Sequence, residues 1–179
     1  EFQSMVCELS GLDVSNASLY DGASAVAEAC SLALTSTKKK TILLSKTLNP
    51  AYSRVVKAYL QNRDINIIEI QEIDGKTNLD MISQNLNNLA GVVVQSPNYY
   101  GIIEDWEKTK EKIINSKALL IAVSDPLSLS LLKSPGECGA DIYVGEGQTL
   151  GIPMSFGGSY LGLMAASKKL IRKMPGRIV

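Results

Sequence analysis

Short apolar runs alternate along this chain with longer segments whose apolar positions recur at helical spacing. The runs are nearly continuous, which is typical of strands that are covered on both faces of a parallel sheet. Strands are predicted at residues 41–45, 65–70, 91–95, 118–124, 141–145 and 160–166. Helices are predicted at residues 23–36, 51–61, 78–89, 105–116, 127–132 and 168–174.

The alternation of strand and helix predicts an α/β domain with a mostly parallel, doubly wound sheet. The sequence does not fix the direction of the last strand, which can be parallel or antiparallel to its neighbours. We expect residues 1–179 to be a single domain cut from a longer chain, because the apolar pattern starts at once without an initiator methionine. Ligands of such sheets bind at the carboxyl ends of the strands, so the segments that follow strands are the candidates for function.

Composition excludes several classes of function. The 18 basic residues equal the 18 acidic ones, which argues against a nucleic-acid partner or an anionic membrane surface. The absence of histidine excludes a Ser-His-Asp triad, a Cys-His pair and a histidine-rich metal site, and no metal is expected. No apolar run reaches the roughly 18 residues of a membrane span. Cys7, Cys30 and Cys138 form no disulfide framework, so we expect a reducing cytoplasm.

The common nucleotide-binding motifs are incomplete. Gly75-Lys76-Thr77 resembles the end of a P-loop, but Ile70 stands where the first glycine is required. No GxGxxG follows an early strand, so an NAD-binding Rossmann domain is only a weak alternative.

Residues that follow strands or open helices remain as candidates. Gly22, Ala23 and Ser24 open a buried helix, where free N–H groups and the Ser24 hydroxyl could hold a phosphate. The alternative is that Asp21 or Ser24 caps a helix that binds nothing. Asp125 follows a strand and either pairs with a protonated ring nitrogen or caps the next helix. Turn and glycine-rich segments at 96–101, 145–151 and 155–159 complete the set.

The order of these segments resembles the large domain of fold-type-I pyridoxal-phosphate (PLP) enzymes. Six segments narrow the resemblance to the first subunits of the two-chain glycine dehydrogenase (decarboxylating), the P-protein of the glycine cleavage system. They are EFQSM at 1–5, NASLYDGA at 16–23, QSPNYYG at 95–101, GADI at 139–142, GEGQTLGIP at 145–153 and MPGRIV at 174–179. The resemblance covers essentially all of the chain.

This resemblance implies a chain without a cofactor of its own. The catalytic sister subunit carries His-Lys-Thr ahead of its Ile-Pro, and Gln148 falls where that Schiff-base lysine would be. A glutamine amide cannot form an imine with PLP, because its nitrogen lone pair is delocalised. Gly22, Ala23, Ser24 and Asp125 would be vestiges of the cofactor site, no catalytic residue is expected, and PLP would be bound by the partner subunit.

The resemblance also implies a reaction shared with other chains. Glycine loses its carboxylate as carbon dioxide, and the aminomethyl group passes to the lipoyl arm of the H-protein. The implied partners are the PLP-bearing second subunit, in a heterotetramer, and the lipoylated H-protein. Asn98, Tyr100, Gly157 and Gly158 are the candidates for an interface or for access of the lipoyl arm.

Two other functions stay open. The chain could be an independent PLP enzyme with an unrecognised Schiff-base lysine, for which Lys46, Lys133 and Lys168 are candidates. It could also be a non-catalytic regulatory or interaction domain on a PLP-enzyme scaffold, because a fold does not fix a function.

Overall fold

Seven strands form one sheet in the computed structural model, which describes residues 1–179. The strands are β1 (Val14–Ser15), β2 (Thr41–Ser45), β3 (Asn66–Ile70), β6 (Leu89–Gln95), β7 (Leu119–Val123), β8 (Ile142–Glu146) and β9 (Gly162–Ala166). Between β3 and β6, a separate hairpin consists of β4 (Glu72–Ile73) and β5 (Lys76–Thr77). The order across the large sheet is β1-β9-β8-β7-β6-β2-β3.

Five adjacent strands of this sheet are parallel, in the order β3, β2, β6, β7 and β8. Strand β9 runs antiparallel to both β8 and β1. The predicted α/β class and mostly parallel sheet are therefore confirmed, and the last strand takes the antiparallel direction that the sequence left open. All six predicted strands lie within two residues of the observed ones at both ends.

Five α-helices cover the sheet: α1 (Phe2–Ser10), α2 (Gly22–Thr37), α3 (Pro50–Leu60), α4 (Leu79–Gln84) and α5 (Trp106–Ile113). The helix predicted at 78–89 is wrong in its second half, because Asn85 ends α4 and Leu89 already pairs with Thr41 in the sheet. The segments predicted as helices at 127–132 and 168–174 are short 3₁₀ helices, at Pro126–Ser130 and Lys168–Lys173. Helix α1, strand β1 and the β4–β5 hairpin are not among the predicted elements.

Helix α2 lies deep against one face of the sheet, as its lack of a polar face predicts. Ala25, Ala29, Cys30 and Ala33 are fully buried in a core that α2 and α3 share with the sheet. The approach is close, because a Cβ atom on Gly91 of β6 would lie 3.2 Å from the Ala33 side chain. Residues of α1, α4 and α5 belong to a second buried core with the sheet.

This packing brings the carboxyl ends of β6, β7 and β8 next to the first turn of α2. The Gln95 side chain accepts a hydrogen bond from the Asn49 N–H ahead of α3, and Glu146 at the end of β8 reaches Gly22. The candidate residues at 21–24, 125 and 145–151 thus meet at one edge. None of the helices has the length and apolar character needed to cross a membrane.

Candidate functional site

The first turn of α2 is capped by Asp21 and Ser24. The Ser24 N–H donates to the Asp21 carboxylate over 2.7 Å, and the Asp21 N–H donates back to the Ser24 hydroxyl over 3.2 Å. This reciprocal arrangement is a capping box, which satisfies free N–H groups at a helix start. The structure therefore shows Asp21 and Ser24 as the cap of α2.

The Glu146 carboxylate accepts a hydrogen bond from the first N–H group of α2, that of Gly22. Its Oε2 accepts from the Gly22 N–H at 2.8 Å, and its Oε1 accepts from the N–H groups of Gln148 at 3.0 Å and Leu161 at 2.8 Å. Glu146 lies within the candidate segment at 145–151 but is not itself predicted as a site residue. The signal for it was a lone carboxylate between two glycines at the end of a predicted strand, which is where parallel sheets bind their ligands.

Asp125 also has partners within the chain. Its Oδ1 accepts from the Leu127 N–H and from the Thr149 hydroxyl, both at 2.9 Å. The first of these bonds caps the 3₁₀ helix at Pro126–Ser130. Asp125 thus acts as a cap, and it also ties the end of β7 to the 3₁₀ helix that follows β8 (Gly147–Leu150).

Tyr52 of α3 lies among these carboxylates. Burial raises the pKa of Tyr52 to about 12, and the nearby charges of Glu146, Asp21 and Asp125 add to the effect. The phenol therefore keeps its proton at neutral pH, because ionising it would add a negative charge to an already acidic site.

Two neighbouring cavities occupy this edge and share Tyr52 and Glu146. The inner one, of about 230 Å³, is lined by Tyr52, Gln95, Val123, Ser124, Asp125, Gly145, Glu146 and Thr149. The outer one, of about 360 Å³, is lined by Asp21, Ala23, Asn49, Ala51, Tyr52, Val55, Glu146 and Tyr160. Neither lining includes a lysine or an arginine, so carboxylates set the charge of both.

A PLP cofactor does not fit these residues. Its phosphate would need the N–H groups at the start of α2, but Asp21 and Glu146 already accept from Ser24 and Gly22 there. Its aldehyde would need an amine, but Gln148 carries an amide. The missing amine and the two occupied N–H groups both oppose PLP at this edge.

The three alternative lysines also lie outside the two cavities. Lys133 pairs with Glu107, and Lys46 lines a different cavity with Arg54 and Lys57. The Lys168 N–H donates to Asp13 at the opposite end of β9. This arrangement offers no Schiff-base lysine for an independent PLP enzyme.

The turn after β6, which we call the 96–101 loop, rests on a buried carboxylate. Glu104 accepts hydrogen bonds from the Thr47 hydroxyl, the Thr77 N–H and the Asn98 amide, each at 2.9 Å. The Asn98 Oδ1 in turn accepts from the N–H groups of Tyr100 and Ile102. Asn98 is therefore buried beneath the loop as a support, whereas Tyr100 is on its surface.

The connection between β8 and β9, which we call the 147–161 loop, carries the other two candidates. Gly157 and Gly158 have φ angles of 107° and 57°, which glycine adopts without strain. A Cβ atom on Gly158 would lie 2.7 Å from the Gln148 amide nitrogen, so Gln148 packs against this end of the loop. Phe156 is wholly exposed, although its φ of 55° is strained for a bulky residue.

Comparison with solved structures first defines the class. The fold is that of fold-type-I PLP-dependent enzymes, because a cystathionine gamma synthase from Xanthomonas oryzae pv. oryzae superposes with a TM-score of 0.74 over 96% of this chain and 43% of its own, at 16% identity. The structure of a glycine decarboxylase (P-protein) of the glycine cleavage system, in inhibitor-bound form, superposes with a TM-score of 0.94 at 43% identity, over 99% of this chain and 40% of its own.

Sequence comparison then identifies the family. The family model for the glycine cleavage system P-protein matches residues 1–179, and the chain belongs to that family. A "Probable glycine dehydrogenase (decarboxylating) subunit 1" of Desulforamulus reducens is 53% identical over 180 residues, and one of Moorella thermoacetica is 48% identical. Both matches cover 100% of this chain and 40% of the relative, so the chain spans well under half of their length.

Proposed function

We propose that this chain is part of the PLP-free first subunit of glycine dehydrogenase (decarboxylating). In that assembly, glycine is decarboxylated and its aminomethyl group passes to the lipoyl arm of the H-protein. PLP is bound by the second subunit, and this chain alone is not catalytically competent. We also propose that residues 1–179 form one domain of the subunit, since the seven-stranded sheet carries a core on each face.

One observation carries this proposal: at the edge that corresponds to the cofactor site, the chain itself supplies acceptors for two N–H groups at the start of α2, and no lysine lines the cavities. The N–H groups of Gly22 and Ser24 have carboxylate acceptors from this chain, and Gln148 replaces the amine. Catalysis by a chain of this family then requires PLP from another subunit, and the name "subunit 1" of the relatives supports that division.

Two loops are the proposed contacts with the second subunit and with the arriving lipoyl arm. The 96–101 loop exposes more than half of Tyr99 and Tyr100, and the 147–161 loop exposes all of Phe156. Aromatic side chains dominate the energetics of protein interfaces. Folding of this chain alone does not bury the Phe156 ring. Its left-handed backbone costs about 1–3 kcal/mol that no contact within the chain offsets. A partner surface would supply the missing burial.

A reducing cytoplasm is the proposed location. All three cysteines are free thiols, and burial raises the pKa of Cys30 to about 12. A buried, protonated thiol of this kind packs as a small apolar side chain and is a poor nucleophile.

Exchange of carbon between glycine and labelled bicarbonate tests the function. The complete chain, its PLP-bearing partner and lipoylated H-protein are mixed, and each is omitted in turn. We expect exchange only when both subunits are present, with borohydride fixing PLP to the partner alone. Full exchange without this chain would contradict the proposal and favour a regulatory domain instead.

Within the same assay, Tyr100→Ala tests the 96–101 loop. We expect a KM for H-protein raised about tenfold, with kcat less affected, because the ring would contribute binding rather than chemistry. Tyr59→Ala, another half-exposed tyrosine on α3, is the matched control. A Tyr100→Ala enzyme with unchanged KM and kcat in an intact assembly would remove this loop from the proposed contact.

A further inference from the structure

A single side chain joins three segments at the carboxyl edge of the sheet. Glu146 ends β8, and its carboxylate accepts from Gly22 at the start of α2. It also accepts from Gln148 and Leu161, which lie at the two ends of the 147–161 loop. Each of these three N–H groups is a backbone donor whose acceptor is the same anion.

In fold-type-I PLP enzymes, the loop at the start of the corresponding helix binds the cofactor phosphate. Glu146 places its carboxylate at that helix start in this chain. The start of a helix carries partial positive charge and free N–H groups, and phosphate binds there readily. Here the anion is a side chain of the protein itself, because the Glu146 carboxylate accepts from the Gly22 N–H. Glu146 and Tyr52 both lie close to the helix start: a Cβ atom on Gly22 would lie 3.0 Å from the Glu146 Cβ and 2.5 Å from the Tyr52 hydroxyl.

The surrounding charges favour one anion and oppose a second. Asp21 and Asp125 flank Glu146 around Tyr52, and neither cavity is lined by a basic side chain. A phosphate placed here would face three carboxylates without a counter-charge, which disfavours its ionised form. A lysine at position 148 alone would therefore not restore a cofactor site.

We propose that Glu146 is a built-in anion that takes the place of the cofactor phosphate. It satisfies the Gly22 N–H of α2, excludes phosphorylated ligands, and fixes both ends of the 147–161 loop without a ligand. The exclusion of phosphate rests on the site alone. That the loop held by Glu146 contacts the second subunit rests on the proposed function.

Replacing Glu146 by alanine should convert the site into one that takes an external anion. The complete chain is unfolded thermally over a series of inorganic phosphate concentrations, with sodium chloride of equal ionic strength as the salt control. We expect no phosphate-specific stabilisation of the wild-type chain. Glu146→Ala should melt at a lower temperature and regain part of the loss saturably, with phosphate binding at least about tenfold tighter than in the wild type.

Glu137→Ala is the matched control. Glu137 is an exposed carboxylate that also accepts from a backbone N–H, that of Ser134, but it lies in a different turn. This variant removes the same charge without opening a cavity at α2, so phosphate should not stabilise it. Equal phosphate responses in Glu137→Ala and Glu146→Ala, or no response in Glu146→Ala, would overturn the proposal.

Glu146→Gln covers the case in which the alanine variant does not fold. The glutamine keeps the size of the side chain but offers one oxygen instead of two, so at least one of the three backbone N–H groups loses its acceptor. We expect amide hydrogen exchange at Gly22, Gln148 or Leu161 to accelerate about tenfold or more. Wild-type protection at all three would overturn the proposal. None of these measurements uses catalytic activity, so they fail or succeed separately from the exchange assay.

Discussion

At the scale of single residues, Asp141 shows how one buried charge is stabilised. Its carboxylate, 5% exposed, accepts from Lys110 at 2.5 Å, Lys169 at 2.6 Å and the Leu120 N–H at 2.9 Å. Burial alone would raise the pKa of Asp141, but the hydrogen bonds from the two lysines and from Leu120 outweigh it and hold the pKa below 3.8. Folding therefore favours the ionised carboxylate.

Asp141→Asn should lower the free energy of unfolding by about 2–3 kcal/mol at pH 7, because Lys110 loses its counter-charge. A carboxyl group whose pKa is lower in the folded state stabilises the fold at pH values above its pKa in the unfolded state. This contribution disappears as the pH falls through the pKa of the folded state. The difference between variant and wild type should thus shrink below about pH 3.8. Urea denaturation at several pH values measures it.

Asp64→Asn is the control for this prediction. Asp64 pairs with Lys40, but both side chains are largely exposed, and surface ion pairs contribute little. We expect no measurable change at pH 7. A loss in Asp141→Asn that stays constant from pH 7 to pH 3 would show that shape rather than charge is responsible.

At the scale of elements, Gly136 fixes the end of α1 against the rest of the chain. Its N–H donates to the Ser10 carbonyl at 2.8 Å, and a Cβ atom there would lie 1.9 Å from the Gly11 carbonyl oxygen. Backbone cannot yield to such an overlap without moving α1. Gly136→Ala should therefore lower the free energy of unfolding by about 3 kcal/mol, measured by urea denaturation.

Gly101→Ala separates this overlap from backbone strain. Gly101 has a φ of 79°, but a Cβ atom there would meet no other atom within 4 Å, so alanine is strained at this position without a clash. We expect a loss of about 1 kcal/mol. Equal losses at the two glycines would mean that α1 does not depend on the close approach at Gly136.

Elements were predictable from the sequence where one local signal dominated. Continuous apolar runs gave the parallel strands, and the small, apolar residues of α2 gave its deep burial. The end of α4 was missed because Leu86 and Leu89 continue its helical spacing, although Leu89 belongs to β6. The acceptors of the Gly22 and Leu161 N–H groups were not predictable, because Glu146 is 124 and 15 residues away from them.

At the scale of the whole molecule, the carboxyl edge of the sheet has carboxylates in its interior and exposed aromatic rings on the loops around it. The interior of the carboxyl edge holds Asp21, Asp125 and Glu146, whose bonds are made within the chain. The loops around it expose aromatic rings instead. Carboxylates that are bonded within the chain favour no second anion, whereas exposed rings suit a protein surface. The division supports the proposed role in assembly.

Phe156→Ala tests that role in the complete chain. The side chain is fully exposed, so its removal should leave the melting temperature unchanged. If the ring is buried against the second subunit, its loss should cost about 1.5–2 kcal/mol of binding, or roughly 10- to 30-fold in Kd. Sedimentation of the mixed subunits measures both assembly and affinity, and Tyr59→Ala on α3 should bind like the wild type. A Phe156→Ala chain that assembles with wild-type affinity would place the contact outside the 147–161 loop.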